Sequence, residues 1–295
     1  MHHTHHGHHH HSSTKNIKTA FFLNISFTII ELIGGLMTNS MAIMSDALHD
    51  LGDSFSLGLA WFLEKQSNKK PTPTFSYGYK RLSLLGALIN ALILLVGSII
   101  ILISALPRLI HPETVDTKGM IFLSILGIII NGAAVFKTSH GENMNEKVIS
   151  LHLLEDVLGW VAVFIVSIVM SFTKIDILDP ILSILITLYI LYGVVKNLKQ
   201  TILLFLQTTP QNISLQNIQA IIKQEKPVLG VHDLHIWSLD GEKNVLSGHV
   251  VVPEKTNKTQ IKKLKQQLKT RLEQQGIQHN TIEIEYEEEL CHEKH

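Results

Sequence analysis

The chain has 295 residues and only 17% charged side chains, with a mean hydropathy of +0.22. That balance points to a membrane protein with a soluble part attached and argues against one large soluble domain. Lys plus Arg equals Asp plus Glu, so no global charge points to nucleic acid, and the lone Cys291 excludes an intrachain disulfide framework.

Histidine is the outlier in composition, with 18 residues, eight of them among the first eleven. Residues 1–15 read as a His-rich tail without the hydrophobic stretch of a signal peptide. A native metal-collecting segment and a purification tag both fit it. Six apolar segments follow, at about 17–37, 41–63, 82–106, 119–136, 148–172 and 177–195. Each is near the ~20 residues that a helix needs to cross a ~30 Å hydrocarbon core. Eleven Lys and Arg near the segment ends fall on one side, among them Lys65, Lys80 and Arg81, against only Arg108, Lys118 and Lys174 on the other. The positive side is cytoplasmic, which places both termini and the second and fourth loops there.

From about Thr208 the character changes. Pro210 ends the apolar stretch, and Ile213 to Glu225 reads as a short amphipathic helix opened by Ser214. Val231 to Leu239 and Val245 to Val252 alternate as strands do, with Asp240-Gly241 as the turn. Asn257 to Gln275 reads as a Lys-rich helix stopped by Gly276, and Thr281 to Glu287 as a last strand. The expected fold is therefore an α-helical membrane protein of six transmembrane helices, over 16–207, with a cytoplasmic α+β domain of order αββαβ at 208–288. Residues 289–295 read as a tail.

Inside two of the apolar segments the same spacing recurs, as His49-Asp-Leu-Gly-Asp53 and His152-Leu-Leu-Glu-Asp156. Four residues is about one helical turn, so each His–Asp pair shares a helix face. An isolated intramembrane His is ordinarily a hydrogen-bonded packing residue, and two separate His–Asp pairs are the plain alternative here. Four costly groups in two spans need partners, however, and one divalent metal satisfies all four at once. The ligand types favour zinc, with cobalt, nickel or iron close in chemistry. Ligation needs neutral His and ionised Asp, so protons compete with metal and proton–metal antiport is the expected mechanism. Asp46, one turn before His49, is expected to support the ligands from behind. Asn24, Glu31, Asn90 and Asn131 are read as packing or cavity-lining groups, and Glu155 points away from the site.

The runs Glu31-Leu-Ile-Gly-Gly35, Asn39-Ser-Met-Ala42 and Ser45-Asp-Ala-Leu-His49 with Asp53 closely resemble the first two spans of the cation diffusion facilitator family. Phe75-Ser-Tyr-Gly-Tyr-Lys-Arg81 resembles its loop into the third span, and His152-x-x-x-Asp156 its fifth. His232-Asp-Leu-His-Ile-Trp237 and Ser247-Gly-His249 resemble strands of its cytoplasmic domain. The resemblance implies a homodimeric zinc exporter of a bacterial cell membrane, pairing through a ferredoxin-like domain, with metal ions, protons and lipid as its partners. It also implies a transport site of His49, Asp53, His152 and Asp156, and a regulatory zinc site of His232, His249 and Glu285. His279 and Cys291 are candidates for a further cytoplasmic site, with His292 and His295 nearby in sequence. A His at the position of His49 goes with zinc over cadmium in that family. Two departures are the short fourth loop, with only His140, and Leu82, where many relatives carry an acidic residue. His235 shares strand parity with Trp237 and is read as partly buried packing.

An intramembrane zinc hydrolase would need an open metal position and a motif such as His-Glu-x-x-His, which does not occur. Transporters of cobalt, cadmium or iron, a channel and a membrane metal sensor without transport are the other competitors.

Overall fold

The computed structural model describes residues 10–67, 71–138 and 144–289; the side chains of 10–20, 60–61, 63–67, 137–138 and 144–152 lie outside that description. Six long helices come first: α1 (His10–Thr38), α2 (Met41–Ser67), α3 (Leu82–Ile110), α4 (Thr117–Thr138), α5 (Met144–Thr173) and α6 (Leu178–Phe205). Among the described residues, five of these are long and apolar enough to cross a membrane. The exception is α2, whose interior carries Asp46, His49, Asp50 and Asp53. The side chains that lower its hydropathy are the ones that make it chemically interesting.

Two helix ends differ most from the sequence reading. The first helix begins at His10, inside the stretch read as tail, because extending an existing helix avoids a new nucleation cost. The sixth continues to Phe205 rather than ending near 195, because Ile202-Leu-Leu-Phe205 resumes an apolar face after Lys196 and Lys199.

The helical unit buries many polar groups beside its apolar clusters and exposes large apolar side chains. Thr28, Glu31, Ser45, Asp46, Asp50, Ser98, Ser183 and Thr187 are buried, while Met37, Ile103 and Phe172 are exposed. Such an arrangement suits hydrocarbon, where lipid tails solvate apolar side chains and polar groups must find one another. Phe27, Ile43, Met120 and Trp160 knit α1, α2, α4 and α5 together. Ala91, Leu94, Ile190 and Val194 join α3 to α6, with Leu48 of α2 packed against them. A Cβ on Gly127 would stand 2.3 Å from the Trp160 ring, so only glycine lets α4 approach that closely. The second helix is thus held from both groups.

Its N-terminus is held as well. Asp179, fully buried at the start of α6, accepts from Ser40 Oγ at 2.6 Å and from the Met41 and Ala42 amides at 2.7 and 3.2 Å. A carboxylate there satisfies orphan amides and meets the positive end of the helix dipole. Ser45 Oγ continues the seam to Ser183 at 2.6 Å and Thr187 at 3.1 Å.

The second compact unit comprises Lys199–His295 together with Lys69–Leu85. Its elements are α7 (Leu215–Lys223), β1 (Gly230–Ser238), β2 (Asn244–Val252), α8 (Lys258–Gln274) and β3 (Ile277–Tyr286). Strand β1 pairs antiparallel with β2, which pairs parallel with β3, and α8 supplies the crossover that a parallel pair requires. Ser214 caps α7, and Asn257 with Gln260 forms a capping box on α8. Gly276, at φ +80, ends α8 as expected. Leu264, Leu268 and Leu272 recur at four-residue spacing and are buried against Val231, Leu246, Val250 and Ile277. Each such side chain contributes about 1.5–3 kcal/mol of burial.

The last strand starts at Ile277, four residues before the reading from sequence. Polar Gln278 to Asn280 show no alternation, but β2 supplies their partners, and Asn244 donates to the Gly276 carbonyl at 2.9 Å. Within this unit Lys80 lies 3.7 Å from Asp240, and the Tyr77 ring meets His279 edge-on at 5.8 Å.

Candidate metal centres

The first centre is built on α2. His49 Nε2 stands 3.7 Å from Asp53 Oδ2 on the same helix, as the four-residue spacing requires, and 4.0 Å from Asp156 Oδ1 on α5. Ligand atoms about 2.0 Å from a tetrahedral zinc lie roughly 3.3 Å apart, so the His49–Asp53 and His49–Asp156 pairs would close by about 0.4 and 0.7 Å. His152 belongs to α5, but its side chain lies outside the described residues. Glu155 is exposed and accepts from Tyr189 Oη at 3.1 Å, away from the site.

Behind these ligands the interior is acidic. Asp46 is buried, with Gly159 of α5 facing its Oδ1; a Cβ there would sit 3.4 Å away. Asp50 is buried too, and Asn24 donates to its carbonyl at 3.2 Å. Sequence reasoning passed over Asp50 and Asp179. Asp50 falls one residue off the His49–Asp53 face, and Asp179 reads locally as the acidic start of its own helix. The signal that could have found Asp50 is its charge at membrane depth.

The second centre lies on the face of the sheet opposite α7 and α8. His232 and His249 are direct cross-strand partners on β1 and β2, with ring centroids 5.1 Å apart. Glu285, buried on β3, reaches both: His232 Nε2 lies 2.8 Å from its Oε2, and His249 Nδ1 hydrogen-bonds its Oε1. Among the described residues, these three form the only group of His, Cys, Asp and Glu with all ligand atoms within 4.8 Å of one another. The Glu285 hydrogen bond raises the His249 pKa above its ordinary value.

Asp233 completes the surroundings and was not foreseen. It occupies an irregularity in the β1–β2 register at φ +48, and its Oδ1 lies 2.8 Å from His235 Nε2 while its Oδ2 lies 3.8 Å from His249 Nε2. His235 keeps the parity of Trp237, opposite buried Ile236, but it is exposed rather than partly buried packing. His279 is also exposed; six residues of β3 separate it from Glu285, about 20 Å at 3.3 Å per residue. Cys291, His292, His295 and His140 lie outside the described residues.

Comparison with known proteins divides the chain in the same two parts. A family model described as cation efflux transmembrane domain matches residues 17–206, and one described as cation efflux protein, cytoplasmic domain, matches residues 210–287. The chain is 33% identical to the cadmium, cobalt and zinc/H(+)-K(+) antiporter of Bacillus subtilis, covering 94% of this chain and 90% of that one. It is 32% identical to the zinc transporter ZitB of Pectobacterium atrosepticum, over 97% and 90% of the two chains. With the metal cation efflux system protein CzcD of Cupriavidus metallidurans the identity is 33%, over 95% and 89%.

Proposed function

The chain belongs to the cation efflux family, and from that premise we propose that it exports divalent metal, zinc foremost, from the cytoplasm in exchange for protons. It is a secondary transporter and not an enzyme. Its setting is a bacterial cell membrane, spanned six times, α2 included, with both termini cytoplasmic. The tail, membrane, cytoplasmic and final segments run over 1–15, 16–207, 208–288 and 289–295. The cytoplasmic domain is ferredoxin-like and pairs two copies of the chain.

One observation carries the transport reading. A His and an Asp from α2 and an Asp from α5 converge at 3.7 and 4.0 Å inside the membrane part, and His152 is the fourth ligand on the same helix as Asp156. Metal loads when both imidazoles are neutral and both carboxylates ionised. When the site opens to a more acidic exterior, protons claim His49 and His152 and the metal leaves. Transport follows from that competition.

The cytoplasmic trio of His232, His249 and Glu285 binds zinc as a regulatory ligand, with His279 and Cys291 as a possible second group. Zinc there biases the dimer only by binding one arrangement better than the other. The Bacillus relative is named for cadmium and cobalt as well as zinc, so these compete as substrates here.

Zinc efflux from vesicles reconstituted with the full chain tests the proposal. Wild type should move zinc in response to an imposed pH gradient, and Asp53→Ala should be inactive. Zinc flux indifferent to the gradient sinks the coupling, and equal flux in Asp53→Ala sinks the site.

A further inference from the structure

Between α1 and α2 runs a polar seam that the metal ligands do not use. Asn24 donates to Ser54 Oγ at 3.0 Å, and the Thr28 hydroxyl lies 3.4 Å from the same atom. Glu31 follows Thr28 by about one helical turn and lies on the same face. The two helices form an antiparallel hairpin, so stepping from Thr28 to Glu31 moves along α2 from Ser54 toward Asp50 and Asp46. Glu31 has no exposed surface, and no hydrogen-bond donor among the described residues reaches either of its carboxyl oxygens. Among the described residues, the groups that act on it electrostatically are Asp50 and Asp46 of α2 and Asp156 of α5, all carboxyls.

An ionised carboxylate in such a place would be buried without a donor and would face other acids. As a neutral acid it is tolerated, and its O–H has Asp50 within the same seam as an acceptor. A divalent cation held by His49, Asp53 and Asp156 reverses the balance, because two positive charges then favour the ionised form of every acid nearby. Glu31 belongs to α1, not to the α2 and α5 pairs, and Asp156 is among the groups that act on it, so the metal's charge reaches it electrostatically.

We propose that Glu31 is a proton-binding site behind the metal: metal entering expels the Glu31 proton, and metal leaving lets a proton return. This rests on the antiport reading above and assigns part of the exchanged charge to a residue outside the four ligands. The proton leaves the carboxyl as the cation arrives, so charge in the buried acid cluster is partly balanced at each stage.

The test uses the full chain, with zinc as the probe. Protons released per zinc bound are read with a pH-sensitive dye in detergent, and zinc flux in vesicles is read under imposed pH and potassium gradients. Glu31→Gln should still bind zinc, release fewer protons per zinc than wild type, and lose much of the flux response to the pH gradient. Glu31→Asp should restore both in part. Proton release and pH-driven flux equal to wild type in Glu31→Gln overturn the proposal. So does a response lost to potassium but kept to pH, which would make this a potassium site. Loss of zinc binding in both variants also overturns it, because Glu31 would then hold the fold or the metal itself. Infrared difference spectra of the wild type need no variant: zinc must remove a protonated-carboxyl band, and its persistence sinks the idea. Wild-type flux that ignores pH would instead defeat the antiport reading, a separate result.

Discussion

The two candidate metal centres solve the same problem of ligand placement in opposite ways. On the sheet, His232, His249 and Glu285 already touch, because strand register sets neighbours about 5 Å apart and side chains of one face converge. In the membrane part, His49 stands 3.7 Å from Asp53 on its own helix and 4.0 Å from Asp156 on another. A regulatory site gains from being preassembled. A transport site has to let go, and ligands divided between α2 and α5 separate whenever those helices shift.

That contrast can be broken outright at the sheet. The double change His232→Ala with His249→Ala should abolish zinc binding on the cytoplasmic domain, a larger effect than the roughly 100-fold cost of losing a partner that merely orients a ligand. Activation by zinc should weaken, while equilibrium dialysis still finds zinc at the membrane site. If the double variant loses the membrane zinc too, the division of roles is wrong.

A smaller effect would sharpen the membrane side. Asp179→Ala removes the acceptor shared by Ser40, Met41 and Ala42 at the start of α2. Loss of that cap should destabilise the protein by about 1–3 kcal/mol, read as a lower unfolding temperature in detergent. Asp179→Asn, which keeps one acceptor oxygen, should fall between it and wild type. An unchanged unfolding temperature in Asp179→Ala would mean that α2 is placed by packing alone.

The smallest expected effect concerns pH at the sheet. Glu285 raises the His249 pKa above 6.5, so the imidazolium–carboxylate pair stabilises the metal-free domain fully at pH below about 6.5. The contribution fades as pH rises through the raised value. Histidine-resolved NMR titration of the metal-free chain should place the His249 midpoint above 6.5. In Glu285→Gln the His249 midpoint should fall.

Much of this was legible locally. The His–Asp pairs were visible because a four-residue spacing means one helix face wherever the helix lies. The capping residues Ser214 and Asn257, and the stop at Gly276, follow from backbone chemistry within a few positions. The strand at 277–280 was not legible, because its polar residues depend on β2 for their pairing. Nor was the exposure of His235, since alternation assigns its face of the strand but not what covers that face.

The sequence by itself determined the helices, most of the strands and the spacing of the two His–Asp pairs, since each depends on neighbours within a turn or two of backbone. Only the tertiary structure decided which groups meet across elements. It set the Asp179 carboxylate on an α2 N-terminus 138 residues earlier in the chain, and it brought Glu285 beneath two histidines. It also buried Glu31 near other carboxyls, with no donor to it among the described residues. Those meetings depend on register and packing, which local spacing does not encode.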